Sequence, residues 1–396
     1  MPMSRSLPLT IASATTQVRP RAVVAILADT EPAKLVRCLC ALALQRSREG
    51  LWLAPDAFGV VVAPTGAAGP LRQALQGLQP ALPFPVRMLP PAPDGHWALR
   101  AAMAAAGDWL GGDGPVLATT AEAVPEAQWV AHGFAALAGG ADLALGEVVA
   151  PGRGPDAAAR YAGLLATLAA RLDPEEPAPA HGQEDAASFA IRTGLLARLG
   201  GLPAGPAGGL PGLLAALRRQ DARIRHLPGL RVEAERPAGP VPAALAVRRR
   251  LLARRALRQF WADGIGSLAA ETPAFRRWAA RLGVPAGALG TALAAPRFGA
   301  AWEAVGALSP ALALPLLPPA ALPREMLTAR LLLAAARLGG TRPRTAQPLP
   351  APPLSAPAGA PVQRAGGLAT GGGAPVGACR LRYPAGGWNR AGSCGP

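Results

Sequence analysis

The chain has 396 residues, 51% of them hydrophobic, and its 40 Lys and Arg against 24 Asp and Glu give a formal net charge of +16. A chain of this length and apolar content can bury a large core, which excludes a protein that is disordered throughout. The positive charge favours phosphate-bearing partners, but only 4% of the residues are aromatic and none are interleaved with a basic patch, which argues against nucleic-acid binding.

The first half of the chain alternates strand-like and helix-like segments, which predicts an α/β fold with a mostly parallel central sheet. Short apolar runs indicate buried strands, and apolar residues at helical spacing indicate the helices between them. The predicted strands are 22–28, 58–63, 85–89, 116–118 and 142–149. The predicted helices are 32–45, 71–78, 96–110, 128–138, 161–172 and 212–219.

After residue 240 the pattern is helical with proline interruptions. Helices are predicted over 248–260, 272–282, 286–294, 300–308 and 325–338. The uncharged run 304–323 holds five prolines, which forbid a continuous helix and therefore a membrane span, and it is expected to form an extended strap over the surface. We therefore expect a main domain over 21–240, a helical accessory region over 241–340, and disorder in 1–20 and in the low-complexity tail 341–396.

One predicted helix is strongly basic, with six arginines among its leucines: Arg248, Arg249, Arg250, Arg254, Arg255 and Arg258. The simplest interpretation is that its apolar face packs on the domain while the arginines stay solvated. Such a helix can also lie on an anionic membrane surface, or sit over a diphosphate in place of a metal ion. The sequence leaves these alternatives open.

The four cysteines have neither metal-ligand nor disulfide-framework spacing. Cys38 and Cys40 lie two apart on a predicted helix and should point to different faces, whereas Cys379 and Cys394 fall in the tail. The N-terminus has one arginine and a short apolar run that is too weak to predict a secretory signal. A bacterial protein that stays reduced in the cytoplasm, with a possible peripheral site on the inner membrane face, is expected.

The segment 115–130 has the outline of a catalytic motif at the end of a buried strand. An apolar run from Pro115 leads into Thr119, Thr120 and Glu122 at the predicted edge of the sheet. It resembles the Asp-x-Asp segment of family 2 glycosyltransferases, in which a core strand runs into two aspartates that hold a divalent metal on the sugar-nucleotide diphosphate. Thr120 stands at the first aspartate position and Glu122 at the second.

Other segments carry the same resemblance, which covers roughly residues 20–235. The loop after the first strand ends in Glu31, the next helix keeps Arg-Cys-Leu at 37–39, and Gly-Gly-Leu-Pro stands at 200–203. The resemblance implies a GT-A fold and transfer of a sugar from a nucleoside-diphosphate sugar to an acceptor with inversion. It also implies that the nucleotide is contacted by Glu31, Thr120 and Glu122.

Two polar motifs of that family are missing. The turn at 64–69 has almost no side-chain donors, and the Glu-Asp pair whose aspartate serves as general base corresponds to Gly209 and Leu210. Transfer needs a base for the acceptor and positive charge on the leaving diphosphate, usually Mg²⁺ or Mn²⁺ held by carboxylates. We therefore expect a transferase that is impaired or inactive.

Weak substitutes for the missing groups remain in the sequence. His181 and Glu184 are candidates for the base, although the same residues can simply tie down a turn. Glu122 is the candidate metal ligand, because hard cations prefer oxygen ligands. The alternative function is a non-catalytic scaffold, or a peripheral membrane-binding partner of an active enzyme.

Overall fold

Eight strands form the central sheet of the computed structural model, which describes residues 19–152, 155–173, 181–203, 209–235, 239–262 and 272–338. In chain order the strands are β1 (Val23–Ala28), β2 (Gly59–Pro64), β3 (Val86–Met88), β4 (Pro115–Thr120), β5 (Val124–Pro125), β6 (Leu143–Val149), β7 (Phe189–Arg192) and β8 (Ile224–Glu233). In the sheet their order is β3-β2-β1-β4-β7-β6-β8-β5.

Parallel pairing dominates this sheet. β1 pairs in parallel with β2 on one side and β4 on the other, β3 extends the parallel set beyond β2, and β6 is parallel to β8. β7 is antiparallel to both of its neighbours, and β5 is antiparallel to β8. The prediction of an α/β fold with a mostly parallel sheet is confirmed.

The described residues up to 219 form seven helices: α1 (Pro32–Ala43), α2 (Ala68–Leu78), α3 (Gly95–Leu110), α4 (Trp129–Ala138), α5 (Ala157–Leu172), α6 (Thr193–Arg198) and α7 (Gly209–Arg219). One layer of buried residues joins α1, α2 and α4 to one face of the sheet, and a second joins α3, α6 and α7 to the other face. The strands β1, β2, β4, β6 and β7 are buried along most of their length, which explains why they are nearly continuous apolar runs in the sequence.

Helix α1 illustrates how the sequence forms these elements. Proline at its first position starts the helix without losing a hydrogen bond. Leu35, Cys38, Leu39 and Leu42 recur at helical spacing and are buried against the sheet. Burying each leucine contributes about 2 kcal/mol. Cys38 is buried and Cys40 exposed, and burial raises the pKa of the Cys38 thiol to about 12.

The C-terminal part of the described chain is mostly helical. It contains α8 (Ala244–Ala262), α9 (Pro273–Leu282), α10 (Ala286–Leu293), α11 (Phe298–Leu308) and α12 (Leu322–Leu338), with a short antiparallel pair of β9 (Val241–Pro242) and β10 (Leu316–Leu317). Helices α8 to α11 share one buried cluster, while α12 packs on α5 and α8.

The segment 304–323 is not extended throughout, contrary to the expected strap. Its first residues complete α11, and two short 3-10 turns, Pro310–Leu312 and Pro319–Ala321, flank the strand β10. Proline tolerates these turns because its fixed φ suits them and its missing N–H is not needed there. In the parts of the chain that the structure describes, no helix is both long and apolar enough to cross a membrane.

The main domain and the helical accessory region predicted from the sequence lie in one compact unit, Met1–Pro352. The boundary between them near residue 240 stays a prediction. The disorder predicted for the lead-in falls on residues outside the described ranges, except for residues 19 and 20. The tail predicted from residue 341 onward lies wholly outside the described residues.

Candidate functional site

The strand order reverses between β1 and β4. From β1 the chain moves outward to β2 and β3, and it then returns to the other side of β1 as β4. In open α/β sheets, ligands bind in the crevice outside the carboxyl ends of the strands at such a reversal. Here the two strand ends are joined because Ala121 N donates to Leu27 O at 2.8 Å. The space outside residues 28–31 and 120–122 is the candidate site.

The β1 side of the crevice carries an ion-paired lysine. Lys34, the only lysine of the chain, lies in the first turn of α1, with its Nζ 2.9 Å from Glu31 Oε1 and 3.3 Å from Asp29 Oδ2. The hydrogen bond to Glu31, followed by that to Asp29, raises the pKa of Lys34. The positive end of the α1 dipole lies at the same place. Glu31, predicted to contact the nucleotide, is therefore held by Lys34.

The β4 side of the crevice presents one accessible carboxylate. Thr119 is fully buried, and its hydroxyl donates to Ala187 O at 2.8 Å. The Thr120 hydroxyl is also buried and has no hydrogen-bond partner among the described residues. The side chain of Glu122 is exposed. Thr120 and Glu122 therefore do not present their oxygens to one accessible space.

These residues do not fit the divalent metal that the resemblance implied. Mg²⁺ and Mn²⁺ require several oxygen ligands, and a carboxylate pair usually supplies the charge. Across the described ranges, no group of three or more His, Cys, Asp or Glu side chains could hold a metal ion. Glu122 is the single carboxylate of the β4 turn, and the neighbouring Thr120 hydroxyl is not accessible.

The turn after β2 is folded against the loop after β1. Thr65 donates to Ala28 O through both its backbone N, at 2.8 Å, and its hydroxyl, at 3.2 Å. A Cβ added to Gly66 would lie 2.9 Å from the Thr30 methyl group. The polar atoms of Thr65 are therefore used within the fold.

The start of α7 corresponds to the general-base position of the resembled family. Leu210 is 3% exposed and belongs to the apolar layer under α3, so it cannot offer a polar group to the crevice. Gly209 has φ +68°, and a Cβ there would lie only 2.5 Å from His96 Nδ1. His96, near the start of α3, thus packs directly on the backbone at the start of α7. No local sequence signal indicates this contact, because the two helices are distant in the chain.

His181 is buried and both of its ring nitrogens have partners. Its Nε2 lies 3.1 Å from Leu145 O, and its Nδ1 accepts from Gln183 N at 3.1 Å. A neutral ring protonated on Nε2 satisfies both contacts. Burial, together with the neighbouring His226 ring at 4.9 Å, lowers the pKa of His181 to about 4. His181 therefore ties its turn to β6.

Glu184 is more accessible than His181 and forms an ion pair with Arg218 of α7. Both residues line a cavity of about 370 Å³ whose other walls come mainly from α5 and α8. Apolar side chains such as Leu165 and Leu251 form most of these walls. His181 is not among the lining residues, so the structure does not bring the two base candidates to one surface.

The arginines of α8 mostly make contacts inside the protein. Arg254 and Arg258 approach the buried carboxylate of Asp173, with their closest nitrogens 3.3 Å and 3.8 Å from its Oδ2. Arg249 and Arg250 donate to backbone oxygens of the 3-10 turn after α11, at 3.2 Å and 3.1 Å.

Arg248 and Arg255 are exposed. Contact of the six arginines with an anionic membrane surface was one of the alternatives that the sequence left open, and it stays a prediction. Because four of them contact neighbouring segments, α8 is not a free basic face.

No protein-family model matches the chain, and no curated protein matches it in sequence. Several solved structures, however, match the chain in a comparison of structures. The mannosyltransferase PcManGT from Pyrobaculum calidifontis, in complex with GDP-Man and Mn²⁺, matches over 81% of this chain and 86% of its own, with 20% identity and a TM-score of 0.42. TarS 1-349 from S. aureus, in complex with UDP-GlcNAc, matches over 80% and 92%, with 16% identity and a TM-score of 0.39. Likeness at this level assigns neither family nor activity to the chain.

Proposed function

We propose that this chain is a glycosyltransferase-like protein of the GT-A type, which binds a nucleoside-diphosphate sugar in the crevice between β1 and β4 and is impaired or inactive in sugar transfer. The observation that carries the proposal is the position of Lys34. This cation lies at the N-terminus of α1, beside the reversal of strand order where open α/β sheets bind ligands.

The N-terminus of α1, beside the end of β1, has the chemistry to bind a diphosphate. The N-terminus of a helix carries unpaired backbone N–H groups and a partial positive charge, both of which favour phosphate. The ammonium group of Lys34 adds a full charge, and it can exchange Glu31 and Asp29 for phosphate oxygens. Glu122, exposed on the opposite side of the crevice, is available to the hydroxyl groups of a sugar.

The described residues offer few of the groups that sugar transfer requires. Inverting transfer needs a base at the acceptor and compensation of charge on the leaving diphosphate. Leu210 is an apolar core residue where a carboxylate would be needed. His181 and Glu184 stay predictions for the base, and acting in that role would require their present contacts to break. His96 is the ionisable side chain that contacts the start of α7.

Calorimetric titration of the full chain with UDP- and GDP-sugars, with and without Mn²⁺, tests the binding. Lys34→Met should weaken binding by about tenfold, or about 1.4 kcal/mol. Arg21→Met is the matched control, because Arg21 lies at the amino end of β1 in an exposed ion pair with Asp56 and should leave affinity unchanged. Absence of heat for every donor, or equal losses in both variants, would overturn the proposal.

Catalysis is tested separately from binding. We expect no release of nucleoside diphosphate during long incubation of the bound donor, alone or with simple sugar acceptors. Sustained release that requires the intact Lys34 would contradict the impaired or inactive part of the proposal.

A non-catalytic scaffold, or a partner of an active enzyme, is the second candidate. The observation that favours it is the apolar start of α7, where Gly209 and Leu210 replace an acidic pair. It differs from the first candidate in expecting no donor binding. A cytoplasmic location belongs to both candidates and is tested by cell fractionation.

A further inference from the structure

Helix α12 has apolar side chains on two opposite faces. Its inner face packs against α5 and α8 through buried residues that include Ala329 and Leu333. Its outer face carries Leu327, Leu331 and Leu338, which are 58%, 62% and 90% exposed. At 100° per residue these three leucines fall within a narrow stripe. The inner face accounts for docking of the helix, so the outer stripe requires another explanation.

Arginines border the outer leucine stripe on both sides. Arg330 and Arg337 lie on one flank of the helix and Arg324 on the other, and all three are exposed. The only acidic residue of α12 is Glu325, which is buried and accepts a hydrogen bond from Ala244 N at 2.8 Å. The outer face therefore combines apolar side chains with positive charge and carries no negative charge.

The neighbouring helix α8 repeats this pattern on a smaller scale. Its Leu245 and Leu252 are 58% and 38% exposed, and Arg248 and Arg255 lie exposed beside them. Helices α8 and α12 pack against one another. The arginines of α8 that contact Asp173 lie elsewhere on that helix and do not belong to this face.

We propose that the outer face of α12 binds the surface of an anionic membrane. An amphipathic helix with leucines in the centre and arginines at the margins can bury its apolar side chains at the lipid boundary while its guanidinium groups meet anionic headgroups. The helix lies in the plane of the surface, since no described helix is long and apolar enough to cross a membrane. This inference does not rest on the proposed sugar-nucleotide binding.

Charge also decides against a second copy of the chain as the occupant. In a twofold contact the same patch meets itself, so the arginine margins of two copies would face one another. With no acidic residue on the outer face to offset them, this contact is repulsive. An anionic lipid surface supplies the complementary charge.

Vesicle co-sedimentation of the full chain tests the proposal. We expect binding to vesicles of phosphatidylcholine with phosphatidylglycerol, no binding to phosphatidylcholine alone, and weakening as salt is raised. The double variant Leu327→Glu, Leu331→Glu should lose at least tenfold in partitioning. Its matched control is Leu44→Glu, Leu51→Glu, which alters two leucines that are 57% and 70% exposed near the end of α1 and should bind normally.

The arginines are tested one at a time. Arg330→Gln should lower partitioning roughly fivefold and reduce its dependence on salt. Circular dichroism and thermal unfolding confirm that each variant is folded.

Three results would overturn the proposal. The first is absence of binding to anionic vesicles by the unaltered chain. The second is full binding by the Leu327→Glu, Leu331→Glu variant, with loss of binding in Arg248→Gln, Arg255→Gln, which would assign attachment to α8 instead. The third is a concentration-dependent dimer that only the α12 variant abolishes, which would make a second copy the occupant.

Discussion

Asp173 is the residue whose replacement tests most directly how α5 and α8 are held together. It follows the last residue of α5, is 0% exposed, and lies between Arg254 and Arg258 of α8. Asp173→Asn preserves the shape of the side chain but removes its charge. The two guanidinium groups then keep their positions without the carboxylate that neutralises them.

The size of the effect follows from burial. Removing one partner of a buried ion pair typically costs 3–5 kcal/mol, because the other charge stays desolvated. The side chains of Arg254 and Arg258 are 28% and 30% exposed, so water can replace part of what they lose. We therefore expect a loss near the lower limit, about 3 kcal/mol in the free energy of unfolding. The melting temperature should fall by about 5 °C, because the entropy of unfolding is about 2.1 cal/mol/K per residue over roughly 300 folded residues.

Urea unfolding followed by circular dichroism measures this loss. The control is Asp56→Asn, because Asp56 pairs with Arg21 at 3.2 Å on the surface and should cost less than about 1 kcal/mol. In an Arg254→Gln, Arg258→Gln background, Asp173→Asn should cost less than in the unaltered chain, since coupled residues are not additive. A change within about 0.5 kcal/mol of zero in the unaltered background would refute the reasoning, because that is the range of ordinary surface substitutions.

Two further predictions concern buried polar contacts beside β6 and β7. The pKa of His181, about 4 when folded, is lower than in the unfolded chain. As the pH falls, His181 therefore becomes protonated in the unfolded chain at a higher pH than in the folded chain. Protonation thus favours the unfolded chain, and the free energy of unfolding should fall by about 3 kcal/mol from pH 6.5 to 4. An equal decrease of the free energy of unfolding with pH in the His181→Gln variant would contradict this prediction. Ser188→Ala should cost about 2 kcal/mol, because Trp129 Nε1 donates to Ser188 Oγ at 2.9 Å in the core. The exposed control Thr167→Ala should change little in the same urea titrations, and equal losses would count against the argument.

Most strands and helices could be located from the sequence alone. The observed elements corresponding to the eleven predicted over 22–219 begin and end within four residues of the predicted ranges. Four elements around the sheet are not among these eleven: β5, β7, α6 and β8. β8 is only partly buried along most of its length and contains Pro228, two arginines and a histidine, so it lacks the apolar run of the other strands. The periodicity signal fails where a strand is half exposed.

Only part of the candidate site could be predicted from the sequence. The apolar run of the sequence indicated the end of β4, and the resemblance to family 2 glycosyltransferases implied that carboxylates are missing at Thr120 and Leu210. It did not indicate that the Thr120 hydroxyl is buried, or that Glu31 pairs with Lys34. It also could not bring His96 to Gly209, since those helices meet only after the sheet has formed.

The basic helix α8 shows which properties the sequence determines and which the tertiary structure determines. Its composition establishes that the segment is helical, amphipathic and strongly positive, and these properties depend only on residues one or two turns apart. The sequence left its partner open, because solvent, lipid and phosphate all suit an arginine. Tertiary structure decided that Arg254 and Arg258 face Asp173, and that the exposed leucine stripe bordered by arginines lies on α12. Local periodicity depends on residues that are neighbours in the sequence, whereas the pairing of charges distant in the chain depends on how the helices pack.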